Sequence, residues 1–159
     1  MSIKVGDKLP EATFMTMGED GPAPVTTADI FGGKKVALFA VPGAFTPTCS
    51  AKHLPGFKEK AAEFKAKGCE IACTSVNDVF VMSAWAKNSE VSDEMSMLAD
   101  GNGAFAAAVG LELDASGFGM GSRSQRYAMV VNDGVVEQIH VEGPGEFKVS
   151  SAEYVLENL

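Results

Sequence analysis

One stretch decides how this chain folds, and it reads KKVALFAVPGAFTPTCS at residues 34–50. Its first half, residues 34–41, is a short apolar run typical of a buried parallel strand. Pro42 and Gly43 end that run. Thr46 followed by a proline is typical of a helix N-cap with proline at the first helical position. The stretch therefore predicts a strand, a turn and a helix that begins just before Cys49.

Cys49 lies in the first turn of that predicted helix. Backbone N–H groups at a helix start lack partners and the helix dipole is positive there, so both favour a thiolate over a thiol. The alternative is a small, unreactive core residue, which is what most free cysteines are. The order of strand, Pro-Gly turn, Thr-Pro cap and thiol favours a sulfur that attacks electrophiles.

The rest of the chain alternates strand and helix patterns. The first helix continues to Gly68, and because Pro55 removes one backbone hydrogen bond, a kink is expected near His53 and Leu54. The further predicted elements are strands over residues 70–76 and 95–99, helices starting at 77 and 104, a hairpin over 124–141 and a closing helix over 151–159. This order predicts an α/β fold of the thioredoxin type, a mixed, mainly parallel sheet flanked by helices with a C-terminal hairpin and helix. Its site should lie beyond the carboxyl ends of the parallel strands, where Cys49 is.

Composition limits the classes of function. The 159 residues are 46% hydrophobic and 21% charged, which predicts one globular domain over residues 1–159. The net charge of −8 argues against a nucleic-acid partner, whose phosphates need a basic surface. No run approaches the roughly 18 apolar residues of a membrane span, and the N-terminus does not resemble a signal peptide. We therefore expect no membrane partner and a cytoplasmic location, which also suits three cysteines that form no even disulfide framework.

The other two cysteines, Cys69 and Cys73, lie on the second predicted strand. An extended chain rises about 3.3 Å per residue, so roughly 13 Å separates them. That distance excludes a disulfide between them and a zinc ion shared with Cys49 and His53, and we predict neither a metal nor a cofactor. Cys69 is expected to be a packing residue. Cys73 is either an inert buried thiol or a redox partner that reaches Cys49 only if the first helix unwinds locally.

Two basic residues could act on Cys49. His53 follows it by four residues and either pairs with the thiol or is a partly covered polar residue. A cysteine hydrolase would also need a third orienting residue, and the sequence marks none. Arg126 falls in a predicted apolar strand and must find an anion, such as a thiolate, or reach a surface salt bridge. Arg123 is expected in a turn or at the surface.

Taken together, these motifs resemble the peroxiredoxins, a family of thiol peroxidases, and specifically their type II or atypical subgroup. The resemblance is carried by Pro42-x-x-x-Thr46-x-x-Cys49, by HLPGF at 53–57, SVND at 75–78 and RYAM at 126–129. It extends over nearly the whole chain.

The resemblance implies a mechanism. The Cys49 thiolate would attack one oxygen of hydrogen peroxide or an organic hydroperoxide, form a sulfenic acid and release water or an alcohol. Thr46 would place its hydroxyl against the sulfur and the peroxide. Arg126 would stabilise the thiolate and the charge developing on the oxygens, and Pro42 would shield the site from water.

The resemblance also bears on recycling and on partners. One branch of the subgroup has a late resolving cysteine, where this chain has residues 149–152 without one. Cys73 matches the second cysteine of another branch and is a candidate resolving residue. An external thiol system, glutathione with glutaredoxin or else thioredoxin, would reduce oxidised Cys49, and a homodimer is expected. The alternative function is a non-catalytic redox sensor, in which oxidation of Cys49 controls a partner interaction.

Overall fold

The computed structural model describes residues 2–159 and is built on a seven-stranded sheet. The strands are β1 (Thr13–Gly18), β2 (Gly21–Thr26), β3 (Lys35–Val41), β4 (Cys69–Ser75), β5 (Ser96–Ala99), β6 (Glu112–Asp114), β7 (Ser122–Ser124), β8 (Tyr127–Asn132) and β9 (Val135–Val141). The helices are α1 (Thr27–Phe31), α2 (Leu54–Glu59), α3 (Ala61–Ala66), α4 (Val79–Asn88), α5 (Ala104–Ala108) and α6 (Ala152–Glu157), with a π-helical turn at Cys49–His53 and a 3₁₀ turn at Ser116–Phe118.

The sheet has the strand order β2-β1-β5-β4-β3-β8-β9. Strands β5, β4 and β3 form a parallel core, and β8 joins it antiparallel to β3. This arrangement confirms the predicted thioredoxin-like α/β fold, with the C-terminal β8–β9 hairpin and the closing helix α6 in their predicted places. No helix within residues 2–159 has the length and apolar character needed to cross a membrane.

Two hairpins were not predicted from the sequence. The hairpin of β1 and β2 extends one edge of the sheet, and β6 pairs with β7 in a separate two-stranded sheet. Strand β2 contains Pro22 and Pro24, which cannot donate to a ladder and so are confined to an edge strand. Because prolines are rare in strands, their presence at alternate positions makes β2 unrecognisable as a strand from the sequence.

Strand β3 lies at the centre of the packing. Ala37, Phe39 and Val41 face one core, which also contains Cys49, whereas Val36, Leu38 and Ala40 face the other core. Burial on both faces explains why the strand is a continuous apolar run rather than an alternating one.

The helix after Cys49 is interrupted rather than continuous. A π-helical turn over Cys49–His53 gives way to α2, in which Pro55 occupies the first turn. Proline has no N–H to donate to the preceding turn, which accounts for the change of helix type at the position where the sequence predicts a kink. The chain then leaves α3 through Gly68, whose φ of +74° is the left-handed conformation of a helix C-terminus.

Candidate active site

Cys49 lies beyond the carboxyl end of β3, after a tight loop over residues 42–46 and two helical residues. Phe45 turns that loop with a φ of +65°, and the Thr46 carbonyl accepts a hydrogen bond from the Ser50 N–H at 2.9 Å. Helical structure starts at Pro47, as the Thr-Pro pair predicts. The local sequence thus places Cys49 in the first helical turn.

Contacts from α4 and from the segment before it hold this loop against the sheet. Asn77 Oδ1 accepts hydrogen bonds from the Ala44 N–H at 3.0 Å and from the Ser75 hydroxyl at 2.7 Å. Trp85 donates its indole N–H to the hydroxyl of Ser50 at 3.0 Å. Asn77 of the SVND motif therefore fixes the loop before Cys49, and Trp85 of α4 fixes the residue after it.

The Cys49 sulfur accepts two hydrogen bonds. One comes from the Thr46 hydroxyl at 2.8 Å, and the other comes from Nη2 of Arg126 at 3.0 Å. The Thr46 hydroxyl also lies 2.7 Å from the Gly43 carbonyl, and it has only one proton to donate. It can therefore donate to a thiolate, or donate to Gly43 while it accepts the proton of a thiol.

Arg126 lies between β7 and β8, so its predicted position inside a strand is wrong. Its carbonyl accepts the Glu142 N–H at 3.0 Å, which continues the β8–β9 pairing by one residue, but the side chain turns towards Cys49. Its Nη1 lies 2.8 Å from Nδ1 of His53, and its Cζ lies 5.9 Å from the centre of the Phe147 ring. The structure thus brings Thr46, Cys49 and Arg126 together.

His53 is fully buried and contacts Arg126 rather than Cys49. Its Nε2 lies 2.9 Å from the Ser150 carbonyl, which can only accept, so the ring proton is on Nε2 and Nδ1 accepts from Arg126. Burial, together with the charge of Arg126, lowers the pKa of His53 to about 3. Both ring nitrogens are occupied and the imidazole is neutral, so His53 does not form the Cys-His pair considered from the sequence.

Glu142 and Ser150 complete the surroundings of His53, and no motif in the sequence singles them out. Glu142 Oε2 accepts hydrogen bonds from the Ser150 N–H at 2.7 Å and the Ser150 hydroxyl at 2.6 Å, and from the N–H groups of Lys148 and Val149 at 2.8 and 2.9 Å. Burial raises the pKa of Glu142, but these hydrogen bonds outweigh it and keep that pKa below the usual value. The only local feature of the sequence that could have indicated Glu142 is its position, as an acidic residue directly before the turn at residues 143–145.

A groove of about 340 Å³ is lined by Pro42, Thr48 and Arg126, and also by Glu142 and Leu113. Cys49 itself has no exposed surface, but Arg126, which donates to its sulfur, lines this groove.

Arg123 is not a free surface residue, and this expectation is wrong. It lies in β7 and is partly buried, because its Nε donates to the Met120 carbonyl at 2.8 Å and its Nη1 donates to the Val76 carbonyl at 2.9 Å. These bonds tie the glycine-rich segment before it to the carboxyl end of β4.

Cys69 and Cys73 both lie on β4, and both are buried free thiols. Cys73 faces the same core as Cys49, and burial, followed by the charge on Cys49, raises its pKa well above the ordinary value. Burial raises the pKa of Cys69 to about 11. Neither is a thiolate at neutral pH. No group of three or more His, Cys, Asp or Glu residues within 2–159 could hold a metal ion.

Comparison with known proteins agrees with this geometry. A family model described as Redoxin matches residues 4–156. Peroxiredoxin-2E, chloroplastic, of Arabidopsis thaliana is 50% identical over an alignment of 163 positions, which covers 99% of this chain and 70% of that protein. Reduced Prx3 in complex with H₂O₂, from Vibrio vulnificus, superposes with a TM-score of 0.94 at 50% identity, covering 98% of each chain. A chain from Burkholderia cenocepacia described as a putative thioredoxin reductase has a TM-score of 0.98 at 47% identity, covering 100% of this chain and 99% of its own.

The thioredoxin-like fold and the paired donors on a cysteine define a thiol-dependent oxidoreductase of the redoxin class. Within that class, the chain belongs to the peroxiredoxins of type II and is a thiol peroxidase. The resemblance drawn from the sequence is confirmed, and the sensor alternative is not favoured. The reductase description is not extended to this chain, which has no Cys-x-x-Cys.

Proposed function

We propose that Cys49 is the residue that attacks the peroxide, with Thr46 and Arg126 as its catalytic partners. The observation that carries this proposal is the pair of donors on one sulfur, at 2.8 and 3.0 Å. A hydroxyl and a guanidinium that donate to the same atom favour its anionic form, and charge-assisted hydrogen bonds are the strongest of their kind.

The reaction then follows from the same contacts. The thiolate attacks one peroxide oxygen, the O–O bond breaks, and the departing oxygen takes up a proton to leave as water or an alcohol. Sulfur is oxidised by two electrons to the sulfenic acid as the peroxide is reduced. Arg126 stabilises the charge on the departing oxygen, and Pro42 limits the access of water to the reacting atoms.

Hydrogen peroxide and organic hydroperoxides are the proposed substrates. The similarity to the Vibrio vulnificus protein in complex with H₂O₂ supports the first. The groove beside Pro42 and Thr48, with a volume of about 340 Å³, has room for the carbon chain of a small organic hydroperoxide.

An external thiol recycles the sulfenic acid in this proposal, either glutathione with glutaredoxin or thioredoxin. Cys73 is fully buried and its pKa is raised, so it is a poor nucleophile in the folded state. A disulfide between Cys73 and Cys49 would require the π-helical turn to unwind. Mass spectrometry of peroxide-treated protein tests this point, because such a disulfide would contradict a one-cysteine cycle.

Assembly and location are also proposed. We expect a single domain that pairs as a homodimer through the face near the active site, where Phe45 is half exposed on the Cys49 loop. We expect it to work in the cytoplasm, because a reducing compartment suits its three free cysteines. We expect it to bind neither nucleic acid nor anionic membranes, since its net charge of −8 is repelled by their phosphates. Sedimentation of the reduced and oxidised protein tests the homodimer.

The direct test of the proposed chemistry is Cys49→Ser with Cys69→Ser as the matched control. Both replace a buried thiol by a hydroxyl, but only the first removes the nucleophile. We expect Cys49→Ser to lose peroxide consumption in the presence of a thiol reductant, and Cys69→Ser to keep it. Steady-state turnover by the unaltered protein also separates an enzyme from a sensor, which would be oxidised only once per sulfur.

A further inference from the structure

Arg126, His53, Ser150 and Glu142 form a closed circuit of hydrogen bonds, which we call the Arg126–Glu142 ring. Arg126 Nη1 donates to His53, His53 Nε2 donates to the Ser150 carbonyl, and the Ser150 N–H and hydroxyl donate to Glu142. The Glu142 N–H then donates to the Arg126 carbonyl at 3.0 Å. The ring begins and ends on the residue that contacts Cys49.

Every bond in the Arg126–Glu142 ring can have only one direction. A guanidinium and a backbone N–H only donate, whereas a carbonyl and an ionised carboxylate only accept. His53 is the one member that could donate from either nitrogen, and the Ser150 carbonyl forces its proton onto Nε2. The lone pair on Nδ1 is therefore presented to Arg126 whenever the ring is neutral.

We propose that Glu142 is a positioning residue for Arg126, acting through Ser150 and His53. Its carboxylate draws residues 148–150 over the Cys49 turn with four hydrogen bonds to one oxygen. This places the Ser150 carbonyl where it fixes the His53 proton, and the fixed imidazole holds Nη1 of Arg126 while Nη2 bonds the sulfur. The inference rests on the proposed role of Arg126.

Phe147 directly precedes the segment that the Glu142 carboxylate bonds. The Phe147 ring lies 4.9 Å from the His53 ring and 5.9 Å from Cζ of Arg126, so it packs against both members of the pair. Release of residues 148–150 would free the guanidinium on this side as well as at Nη1.

Two physical effects of Glu142 on the Cys49 thiolate have opposite signs, which makes the proposal testable. As a nearby negative charge, Glu142 disfavours the thiolate. If this electrostatic effect acted alone, removing Glu142 would lower the pH at which Cys49 becomes reactive. As a positioning residue it keeps Arg126 on the sulfur, so its removal would raise that pH. The ionisable groups that face Cys49 and His53 are Arg126 before β8, Glu142 after β9 and Cys73 on β4.

The experiment follows the rate of Cys49 alkylation by iodoacetamide against pH, read by peptide mass spectrometry so that Cys69 and Cys73 are counted separately. The variants are Glu142→Ala, Glu142→Gln and Ser150→Ala, with Arg126→Gln as the reference for complete loss of the contact. Asp100→Asn is the matched control. Asp100 is a buried carboxylate that accepts two backbone N–H groups, from Phe105 and Ala106, and it has no bond to the site.

We expect Glu142→Ala to raise the alkylation midpoint by about one pH unit and to lower kcat/KM for hydrogen peroxide at pH 7 by up to about tenfold. Glu142→Gln keeps an acceptor for the backbone, so its rise should be smaller, as should that of Ser150→Ala. Asp100→Asn should lower thermal stability without moving the midpoint. If Glu142→Ala fails to fold, the alkylation midpoint of Ser150→Ala, compared with that of the original protein, tests the positioning role instead.

An unchanged or lowered midpoint in the folded Glu142 and Ser150 variants would overturn the positioning role. That result would leave the proposed chemistry standing as long as Arg126→Gln still raises the midpoint. If Arg126→Gln does not raise it, the proposed role of Arg126 itself is wrong.

Discussion

Cys49 and Cys73 occupy the same core and are both completely buried, yet their surroundings differ in a way that decides their chemistry. Cys49 ends a strand-to-helix turn and accepts hydrogen bonds from Thr46 and Arg126. Cys73 lies in the middle of β4, opposite Phe39, where burial raises the pKa of its thiol. In the proposed function, donors aimed at the sulfur, rather than exposure to solvent, distinguish the reactive Cys49 from Cys73.

Acid should produce the largest effect, because it removes the support behind Arg126. The pKa of His53 is about 3 in the folded chain against an ordinary 6.5, so folding favours the neutral ring. The lowered pKa of His53 therefore contributes to the free energy of unfolding. This contribution is complete above about pH 6.5 and is lost as the pH falls towards 3, and by linkage it is at most about 5 kcal/mol. Chemical denaturation at a series of pH values measures this loss.

His53→Gln is the control for the acid effect. A glutamine amide can donate to the Ser150 carbonyl and accept from Arg126, but it does not titrate. We expect this variant to lose distinctly less stability than the original protein between pH 6.5 and 3. Identical curves for the two proteins would show that His53 is not responsible.

Arg126→Gln should remove most of the difference between the two cysteines. It deletes the charge that faces the Cys49 sulfur, and loss of such a preorganised donor typically lowers a rate by about 10²–10³-fold. We expect that decrease in kcat/KM for hydrogen peroxide, measured by stopped-flow mixing. Arg123→Gln is the matched control, because Arg123 bonds only the Met120 and Val76 carbonyls and should reduce stability more than activity.

Thr46→Val should have a smaller effect of the same kind. Valine keeps the shape of threonine but removes the hydroxyl 2.8 Å from the sulfur, and a lost hydrogen bond to a charged group corresponds to about 1.5–3 kcal/mol, or roughly 10–150-fold in rate. Thr46→Ser restores a hydroxyl and should recover most of the activity. Equal losses in both variants would indicate that packing, rather than the hydroxyl, is responsible.

Cys73→Ser should have the smallest effect on turnover. If an external thiol recycles Cys49, the steady-state rate with glutathione and glutaredoxin, or with thioredoxin, should stay within about twofold of the original. The measurement needs a folded variant, so thermal stability is recorded alongside, because a hydroxyl in an apolar core is itself costly. A large loss of turnover in a stable variant would assign a resolving role to Cys73 and weaken the contrast with Cys49.

The elements that could be predicted from the sequence are those with strong local signals. The strand at residues 34–41, the helix start at Pro47 and the β8–β9 hairpin follow from apolar runs and turn residues, and all are present. The Thr46 hydroxyl bonds the Gly43 carbonyl and the Cys49 sulfur, so the predicted side-chain cap at Thr46 is wrong. The β1–β2 hairpin cannot be predicted from the sequence, because Pro22 and Pro24 interrupt the residue pattern typical of a strand. The sequence places Arg126 inside a strand because an apolar run follows it directly. In the structure, the pairing of β8 with β3 begins only at Tyr127.

The sequence alone determined the position of the Cys49 turn and the peroxiredoxin motifs, because strand, turn and helix-cap preferences depend on residues close together in the chain. Only the tertiary structure decided what surrounds the sulfur. Arg126 is 77 residues away from Cys49, and Ser150 is 97 residues away from His53. Their meeting depends on the pairing of β3 with β8 and on the return of the chain after β9. No local pattern encodes that His53 is neutral and bonds Arg126, since its partners are chosen by burial and by the fold.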